Sequence, residues 1–559
     1  MYTSLSANAN EDGAASAPQW IPPSGCGCPM CAGGGASLPQ FALAPGAATW
    51  IAASTPVAPT GSGAPTLLSG TSWAGGAVSA GRAVITYSFS NANSWYADDP
   101  EGFHATLTEF SAADKAATRQ LLARIEEVCN VRFTEVADNG ATSGDVRYAY
   151  STTPNAMGYA GFAYFPSAGA GGDVWIGRDQ AAPQWDFYRA SLILHETLHA
   201  IGLKHPFDAG VVLDTASDII PNTVMSYSPM AGSQTGALSV YPVEPMALDV
   251  AALQAMYGAA ATNAGDTSYD LAATAFQSGF RTLWDSAGWD TLDASRVGHG
   301  VTLDLREGGH SDVGVRVNAN AYYGAVTPAN MRTTVYTNTL TLAAGTRIEA
   351  VVGSGGDDIF ITGNASRNIH GGAGIDTAVF AGSIGNYDIA SGSGHFYVAN
   401  RLDGSWGDLT AMERVEFSDV NLRATTAADA SNPGQTYAQA FRLYNAALDR
   451  SPDQMGLIFQ TRELQTGHSL QDLARNFMAS PEFQSRFNVT LDSAFVTLLY
   501  HNVLDREPDA GGLAYHVDRL ANGATRADVL VGFSESPENL NATAATLLGM
   551  SSAGLLIPV

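Results

Sequence analysis

The stretch LHETLHAIGLKHP, Leu194–Pro206, concentrates three histidines and one carboxylate in an otherwise apolar run. In a helix, His195 and His199 lie one turn apart on the same face, so both ring nitrogens can reach one zinc ion at about 2.0–2.1 Å. Gly202 favours a sharp turn after the helix, which would return His205 as a third imidazole. Three neutral nitrogens leave a fourth position for water, as in a catalytic site.

Glu196 is predicted to act as a general base rather than as a zinc ligand. Its position beside the two helical histidines lets it take a proton from an activated water molecule. The competing interpretation is a buried helix with incidental histidines. Each member of the pattern HExxHxxGxxH meets a separate geometric need, and this favours one catalytic zinc ion.

The overall composition is acidic. The 559 residues include 27 Lys and Arg against 53 Asp and Glu, for a formal net charge of −26. Without a basic stripe, nucleic acid is not an expected partner. The sequence predicts no membrane span and shows no conventional N-terminal secretory signal. Such acidity indicates either a solvated surface or a need for cations.

Changes in composition predict a multidomain α+β protein. The last part contains an internal repeat, because LYNAALDRSPDQMGL (Leu443–Leu457) matches LYHNVLDREPDAGGL (Leu499–Leu513) at an offset of 56 residues. The four predicted domains are a flexible leader or propeptide (1–62), a domain of alternating strands and helices that contains the histidine string (63–258), a parallel β-roll or β-sandwich domain (259–425) and an all-α repeat domain with a C-terminal tail (426–559).

The histidine string resembles the signature of the metzincin metalloproteases. NTVMSYSP (Asn222–Pro229) resembles their Met-turn, and GLKHP, PMALDVAALQAMYG and WDSAGWDTLDAS are similar to segments of the serralysin group. The resemblance extends from about residue 65 to residue 380. It implies a metzincin catalytic domain in a calcium-dependent zinc endopeptidase that bacteria secrete to hydrolyse extracellular proteins.

The resemblance also implies roles for residues outside the histidine string. Met225 would form an apolar floor under the zinc, and Tyr227 would be a displaceable zinc ligand that helps to stabilise the oxyanion. GGDVWIG (Gly171–Gly177) resembles the edge strand that pairs with an extended peptide substrate.

The segment Val352–Phe380 contains two copies of the nonapeptide GGxGxDxUx, at Val352–Phe360 and Gly371–Val379. In a β-roll, glycines make tight turns and stacked aspartates bind Ca²⁺ between them. A glycine-rich loop without calcium is the alternative. By resemblance, the predicted contributors to a few structural calcium sites are Gly353, Gly355, Asp357, Gly372, Gly374 and Asp376. A further calcium site is predicted, also by resemblance, at Asn263, Gly265, Thr267, Asp285 and Asp290.

Proteins with such rolls generally leave the cell through type I secretion machinery, so the resemblance implies an extracellular location. The helical repeat resembles a domain of unknown function that is common at the C-terminal end of such proteins. Its role is either packing alone or binding to a cell-surface polymer or another protein.

A cysteine cluster lies in the leader, in SGCGCPMCAGG (Ser24–Gly34). Its Cys-Gly-Cys-Pro core resembles the cysteine switch of matrix metalloproteases, in which a propeptide thiolate occupies the open zinc position. Cys26 or Cys28 would then bind zinc in a latent zymogen. An independent metal site, a disulfide pair and an inert leader are the alternatives.

The predicted function is therefore a secreted zinc endopeptidase that takes protein or peptide substrates. Two other functions remain open at this point. One is a non-enzymatic, calcium-dependent surface or matrix protein, and the other is a protease restricted to itself or to one partner.

Overall fold

The computed structural model describes residues 64–76, 78–79, 81–487, 489–552 and 554–559. These residues form two compact units. The first contains the described residues up to Ala260 together with Gly279–Thr282 and Arg316–Thr339, and the second contains Ala261–Ser278, Leu283–Val315 and Leu340–Val559. The predicted mixture of helices and sheets with a helical C-terminal region is confirmed.

The first unit begins with a sheet and four α-helices. Its elements up to residue 257 are β1 (Val78–Ser79), β2 (Arg82–Phe89), α1 (Ala112–Val128), β3 (Val131–Glu135), β4 (Val146–Ser151), α2 (Thr153–Met157), β5 (Gly161–Ala163), β6 (Asp173–Gly177), α3 (Asp186–Ala200), β7 (Gly236–Leu238) and α4 (Ala247–Tyr257).

The sheet of the first unit runs in the order β1-β2-β4-β6-β5, with β3 also paired to β2. β6 is parallel to β4, whereas β5 is antiparallel to β6 and, among the described strands, pairs with no other. The prediction that Gly171–Gly177 forms the edge strand is therefore wrong, and the edge is β5. All five residues of β6 are buried, as expected for a strand that has a neighbouring strand on each side.

Helix α3 carries His195, Glu196 and His199 in the interior of the first unit, and its residues 191–200 are all buried. The chain turns at Gly202, where φ is +114° and an added Cβ would lie only 2.3 Å from the carbonyl oxygen of Thr71. Only glycine fits this turn. The indole of Trp73 donates to the carbonyl of Ala200 at 2.8 Å, which satisfies one of the polar groups left free at the helix end.

The remaining elements follow α4 in the chain. The strands are β8 (Ser268–Asp270), β9 (Arg281–Leu283), β10 (Thr291–Asp293), β11 (Thr302–Asp304), β12 (His310–Tyr322), β13 (Met331–Leu342), β14 (Ala350–Val352), β15 (Ile359–Ile361), β16 (Asn368–His370), β17 (Thr377–Val379), β18 (Tyr387–Gly392), β19 (His395–Asn400), β20 (Trp406–Thr410), β21 (Arg414–Glu416), β22 (Asn421–Ala424) and β23 (Leu556–Pro558). The helices are α5 (Ala427–Ala430), α6 (Thr436–Leu448), α7 (Gln454–Gln465), α8 (Leu470–Ala479), α9 (Pro481–Phe487), α10 (Asp492–Leu504), α11 (Ala510–Ala521), α12 (Arg526–Ser534) and α13 (Pro537–Ser552).

The glycine-rich part of the second unit is a parallel roll. The strands β14, β15, β16 and β17 begin nine residues apart and alternate between two sheets, so β14 pairs with β16 and β15 with β17. Each of these strands places one buried apolar residue between the sheets. These residues are Val351, Phe360, Ile369 and Ala378.

The helical part of the second unit repeats one local structure twice. Helices α6 and α10 end at aspartates in the left-handed conformation, Asp449 with φ +51° and Asp505 with φ +48°. In each repeat the next arginine pairs with the glutamate that follows the proline of a later helix. These ion pairs are Arg450–Glu482 and Arg506–Glu538. The aspartate and arginine that recur in the repeated motif thus have structural roles, at a helix end and in an ion pair.

The last described strand, β23, pairs antiparallel with β22 at the edge of the roll. Leu555, Leu556 and Ile557 are buried there. Among the described residues, no helix has the length and apolar character needed to cross a membrane.

Candidate active site

Three imidazoles from the histidine string meet at one point in the first unit. The Nε2 atom of His205 lies 3.2 Å from Nε2 of His195 and 3.0 Å from Nε2 of His199. Among the described residues, no other group of three or more His, Cys, Asp or Glu side chains has all its ligand atoms within 4.8 Å of one another. The structure thus brings the predicted zinc ligands together.

Backbone carbonyls fix the orientation of the two helical histidines. Nδ1 of His195 lies 2.8 Å from the carbonyl oxygen of Val224, and Nδ1 of His199 lies 2.7 Å from that of Leu203. A carbonyl can only accept, so each ring carries its proton on Nδ1 and directs the lone pair of Nε2 inward.

The third imidazole is held by its own loop. Nδ1 of His205 lies 3.1 Å from Oδ2 of Asp208, and the same carboxylate accepts the backbone N–H of His205 at 3.0 Å. The ring of Phe207 stacks on the imidazole with the centroids 4.9 Å apart. Asp208 was not predicted from the sequence, although its position three residues after the ligand is compatible with such a contact.

This arrangement fits a divalent cation. Three inward lone pairs with no proton between them repel one another unless a positive charge lies at their centre. Two nitrogens bound tetrahedrally to zinc at 2.0–2.1 Å are roughly 3.3 Å apart, which is close to the separations observed here.

The buried environment keeps the imidazoles neutral, which is the form that binds metal. Burial lowers the pKa of His195 to about 4. Burial also lowers the pKa values of His199 and His205 well below the usual value, and neighbouring imidazoles lower them further.

Glu196 is fully buried on α3, next to the edge strand β5. A Cβ added to Gly161 would lie 2.5 Å from Oε1 of Glu196, so the backbone of the edge strand passes directly over this carboxylate. The sequence alone gave no sign of this contact, because Gly161 belongs to a three-residue strand without alternation. The predicted general base and the edge strand β5 are therefore neighbours.

Tyr227 lies at the same centre, with its hydroxyl 2.7 Å from Nε2 of His205. Met225 is completely buried in the turn before it. The structure thus brings Tyr227 to the three imidazoles, and the role of Met225 as an apolar floor stays a prediction.

A buried carboxylate that sequence reasoning missed anchors this turn. Asp249, at the start of α4, accepts the Thr223 hydroxyl at 2.5 Å and the backbone N–H groups of Val224 and Met246 at 2.8 and 2.9 Å. Burial raises its pKa to about 6. Val224 also supplies the carbonyl that orients His195. Asp249 therefore helps to fix the orientation of His195 by holding the backbone of Val224.

In the roll, the structure shifts the first predicted repeat by one residue. Ile359 pairs with Thr377, so the turn that begins at Gly353 stacks on the turn that begins at Gly371. The equivalent of Asp376 is therefore Asp358, not the predicted Asp357, which is exposed. The two adjacent aspartates made the register ambiguous in the sequence.

The turn glycines agree with this register. Added Cβ atoms at Gly353 and Gly372 would lie within 2.3 Å of carbonyl oxygens in the neighbouring turn, and at Gly374 the distance would be 2.6 Å. Gly355 has nothing within 4 Å, whereas Gly356 would clash with the backbone of Gly300. Gly356 thus takes the place predicted for Gly355.

The carboxylates of these stacked turns form a ladder. Oδ1 of Asp376 accepts the backbone N–H of Asp358 at 2.9 Å, and Glu413 of the next turn accepts that of Asp376 at 2.9 Å. Oδ2 of Asp376 is buried and makes no hydrogen bond to any described residue. Burial, with neighbouring carboxylates, raises the pKa of Asp376 to about 6. A cation would satisfy this oxygen.

The second predicted calcium set also converges. Asp285 and Asp290 are both buried, and Oδ1 of Asp290 accepts the N–H of Thr267 at 2.9 Å. Burial, with the charge of Asp285 and other groups, raises the pKa of Asp290 to about 6. A Cβ added at Gly288 would lie 2.7 Å from the carbonyl oxygen of Gly265, so that oxygen is nearby. The side-chain amide of Asn263 donates to the hydroxyl of Tyr269 at 2.9 Å.

Cys26 and Cys28 lie outside the described residues, as does Cys31. Cys129 is buried and burial raises the pKa of its thiol, which fits a core residue.

Comparison with known proteins agrees with the site. The chain is 29% identical to "Metallopeptidase AprA" of Pseudomonas marginalis over 320 residues, which cover 52% of this chain and 62% of that protein. It is 28% identical over 320 residues to "Serralysin B" of Dickeya chrysanthemi, covering 52% and 61%. It is 30% identical over 285 residues to "Serralysin" of Proteus mirabilis, covering 43% and 56%.

The predicted resemblance to serralysin-type metalloproteases is confirmed. The chain spans about three fifths of the length of the serralysins it matches. Residues 429–487 and 474–543 match the family described as "Domain of unknown function (DUF4214)", which agrees with the predicted C-terminal repeat.

Proposed function

We propose that this protein is a secreted zinc endopeptidase of the serralysin type. The observation that carries the proposal is the convergence of three oriented Nε2 atoms beside a buried glutamate. His195, His199 and His205 would hold one zinc ion. When bound, the zinc supplies a Lewis acid that acidifies water and polarises a carbonyl.

The residues of the chain divide the remaining work. An extended substrate would pair with β5 by β-augmentation, which places its backbone beside Glu196. Glu196 would take the proton of the attacking water and deliver it to the leaving amine. Tyr227 would donate a hydrogen bond to the carbonyl oxygen as negative charge develops on it. Asp208 and Asp249 keep the imidazoles and the turn in place.

The roll would bind a few structural calcium ions between its stacked turns. Asp358, Asp376 and Glu413 support this proposal through their ladder, and Asp285 with Asp290 supports a further site. Without calcium, burial of these carboxylates lowers the stability of the folded roll. The roll would therefore fold fully only where calcium is abundant. This agrees with release through type I secretion machinery.

The leader would keep the enzyme latent if Cys26 or Cys28 binds the zinc. A thiolate is a strong zinc ligand, and it would exclude water from the open position. Freshly made zymogen with and without residues 1–60 tests this, because equal initial activity would rule out latency through the thiols.

The decisive experiment for the proposed function is Glu196→Gln, with Glu127→Gln on the exposed face of α1 as the matched control. We expect the Glu196 variant to retain one zinc ion and lose casein cleavage, while the control keeps both. Normal turnover by Glu196→Gln would contradict the assignment. Zinc-loaded, activated protein that cleaves no casein would favour a protease restricted to one partner or a non-enzymatic scaffold.

A further inference from the structure

A long hairpin interrupts the roll in sequence, and its outer part belongs to the first unit. It is formed by β12 and β13, and its segment Arg316–Thr339 belongs to the same compact unit as the histidine site. The strands β14–β17 that follow it begin nine residues apart, whereas the hairpin segment Arg316–Thr339 lies outside the compact unit that contains those strands.

The hairpin is joined to the catalytic unit by strand pairing. β12 pairs antiparallel with β7 over three residue pairs, from Ala319 opposite Leu238 to Ala321 opposite Gly236. The approach is close, because a Cβ added at Gly236 would lie 2.0 Å from the carbonyl oxygen of Asn320. The pairing therefore fixes the hairpin firmly against the chain that follows the Met-turn.

Two tyrosine hydroxyls of the hairpin hold the segment 229–233 just beyond Tyr227. Tyr336 donates to the carbonyl of Pro229 and Tyr323 donates to that of Ala231, each at 2.8 Å. The hydroxyl of Ser233 donates back to the carbonyl of Tyr322 at 2.7 Å. Three hydrogen bonds thus tie alternate residues of this segment to the hairpin.

The segment begins two residues after a side chain that touches the metal-binding centre. A substrate side chain next to the scissile bond must pass the protein surface adjoining that centre. A rigid protein surface discriminates better between substrate side chains than a mobile one. Displacements of about 1 Å at such a surface change rates markedly.

We propose that Tyr323 and Tyr336 are positioning residues that fix the segment 229–233 and thereby set the preference for side chains flanking the scissile bond. This inference rests on the proposed function. The substrates concerned are peptides, and the residues act through the loop rather than by touching the reacting atoms.

The test uses the full chain and the variants Tyr323→Phe, Tyr336→Phe and the double variant. Tyr322→Phe on the same hairpin is the matched control, because its hydroxyl makes no hydrogen bond with a described residue. Cleavage of a peptide library varied at the residues on both sides of the scissile bond gives kcat/KM for each sequence. Hydrogen exchange of residues 229–235 reports the loop without requiring activity.

We expect the double variant to change the kcat/KM ratio between preferred and disfavoured peptides by about 3- to 10-fold, the effect of one or two lost hydrogen bonds. Exchange of residues 229–235 should rise, while zinc content and the thermal midpoint stay close to those of the control. Unchanged ratios, or an equal fall for every peptide, would overturn the inference. Wild-type protein that cleaves no peptide while the exchange still responds would instead refute the proposed function.

Discussion

Replacing Asp249 tests how the interior of the first unit supports the metal centre. In Asp249→Ala, the buried N–H groups of Val224 and Met246 both lose their acceptor. An unsatisfied buried donor costs about 1–3 kcal/mol, so the free energy of unfolding should fall by about 2–6 kcal/mol. Asp249→Asn keeps one oxygen for both N–H groups and should cost much less.

The pH dependence gives a sharper form of this prediction. Burial raises the pKa of Asp249 from its ordinary 3.8 to about 6. Because the folded value lies above the unfolded value, the stability from this carboxyl is complete below about pH 4 and is lost as the pH rises through about 6. At 1.36 kcal/mol per pKa unit, the wild type should lose about 3 kcal/mol relative to Asp249→Asn between pH 4 and pH 8.

This change in the free energy of unfolding can be measured by urea titration, with hydrogen exchange of peptides from residues 186–258 as the signal. These peptides report on the unit that contains the site. Comparing wild type with Asp249→Asn at each pH cancels the titration of the histidines. A difference that does not vary with pH, or a loss below about 1 kcal/mol in Asp249→Ala, would refute the reasoning.

Three further predictions follow from contacts described above. Asp208→Ala should weaken zinc binding about 10- to 100-fold in a chelator competition, because His205 loses its orienting acceptor; unchanged affinity would contradict this. Gly202→Ala should lower the thermal midpoint well below that of Gly210→Ala, since both have φ above +100° but only Gly202 lacks room for a Cβ; equal midpoints would show that the turn can relax. Asp376→Asn should reduce the rise in thermal midpoint that calcium produces, whereas the exposed Asp357→Asn should not, and the reverse result would restore the register expected from the sequence.

The sequence was most informative where function depends on local spacing. His195 and His199 are one helical turn apart, so their convergence follows from helix geometry. The return of His205 depends on one glycine whose conformation no other residue adopts easily. The nine-residue period of the roll is equally local, which explains why its architecture was predictable.

Contacts between distant parts of the chain were not predictable in this way. Asp249 reaches the Met-turn from a different helix, and nothing in its neighbours distinguishes it from an ordinary helix-start aspartate. The edge position of β5 depends on which strand lies outermost, a property of the whole sheet. The register of the first repeat required the pairing of Ile359 with Thr377, because two adjacent aspartates fit the pattern equally well.

The pairing of β22 with β23 has a consequence for the order of assembly. The two strands are neighbours in the sheet but are separated by residues 425–555, which include every helix of the repeats. Bringing the ends of a flexible segment of that length together costs about 4 kcal/mol, which the burial of Leu555, Leu556 and Ile557 must offset. Folding of the helices brings the two ends closer together before β22 and β23 pair. We therefore expect the outermost strand, β23, to join the sheet last, after the helical repeats have folded.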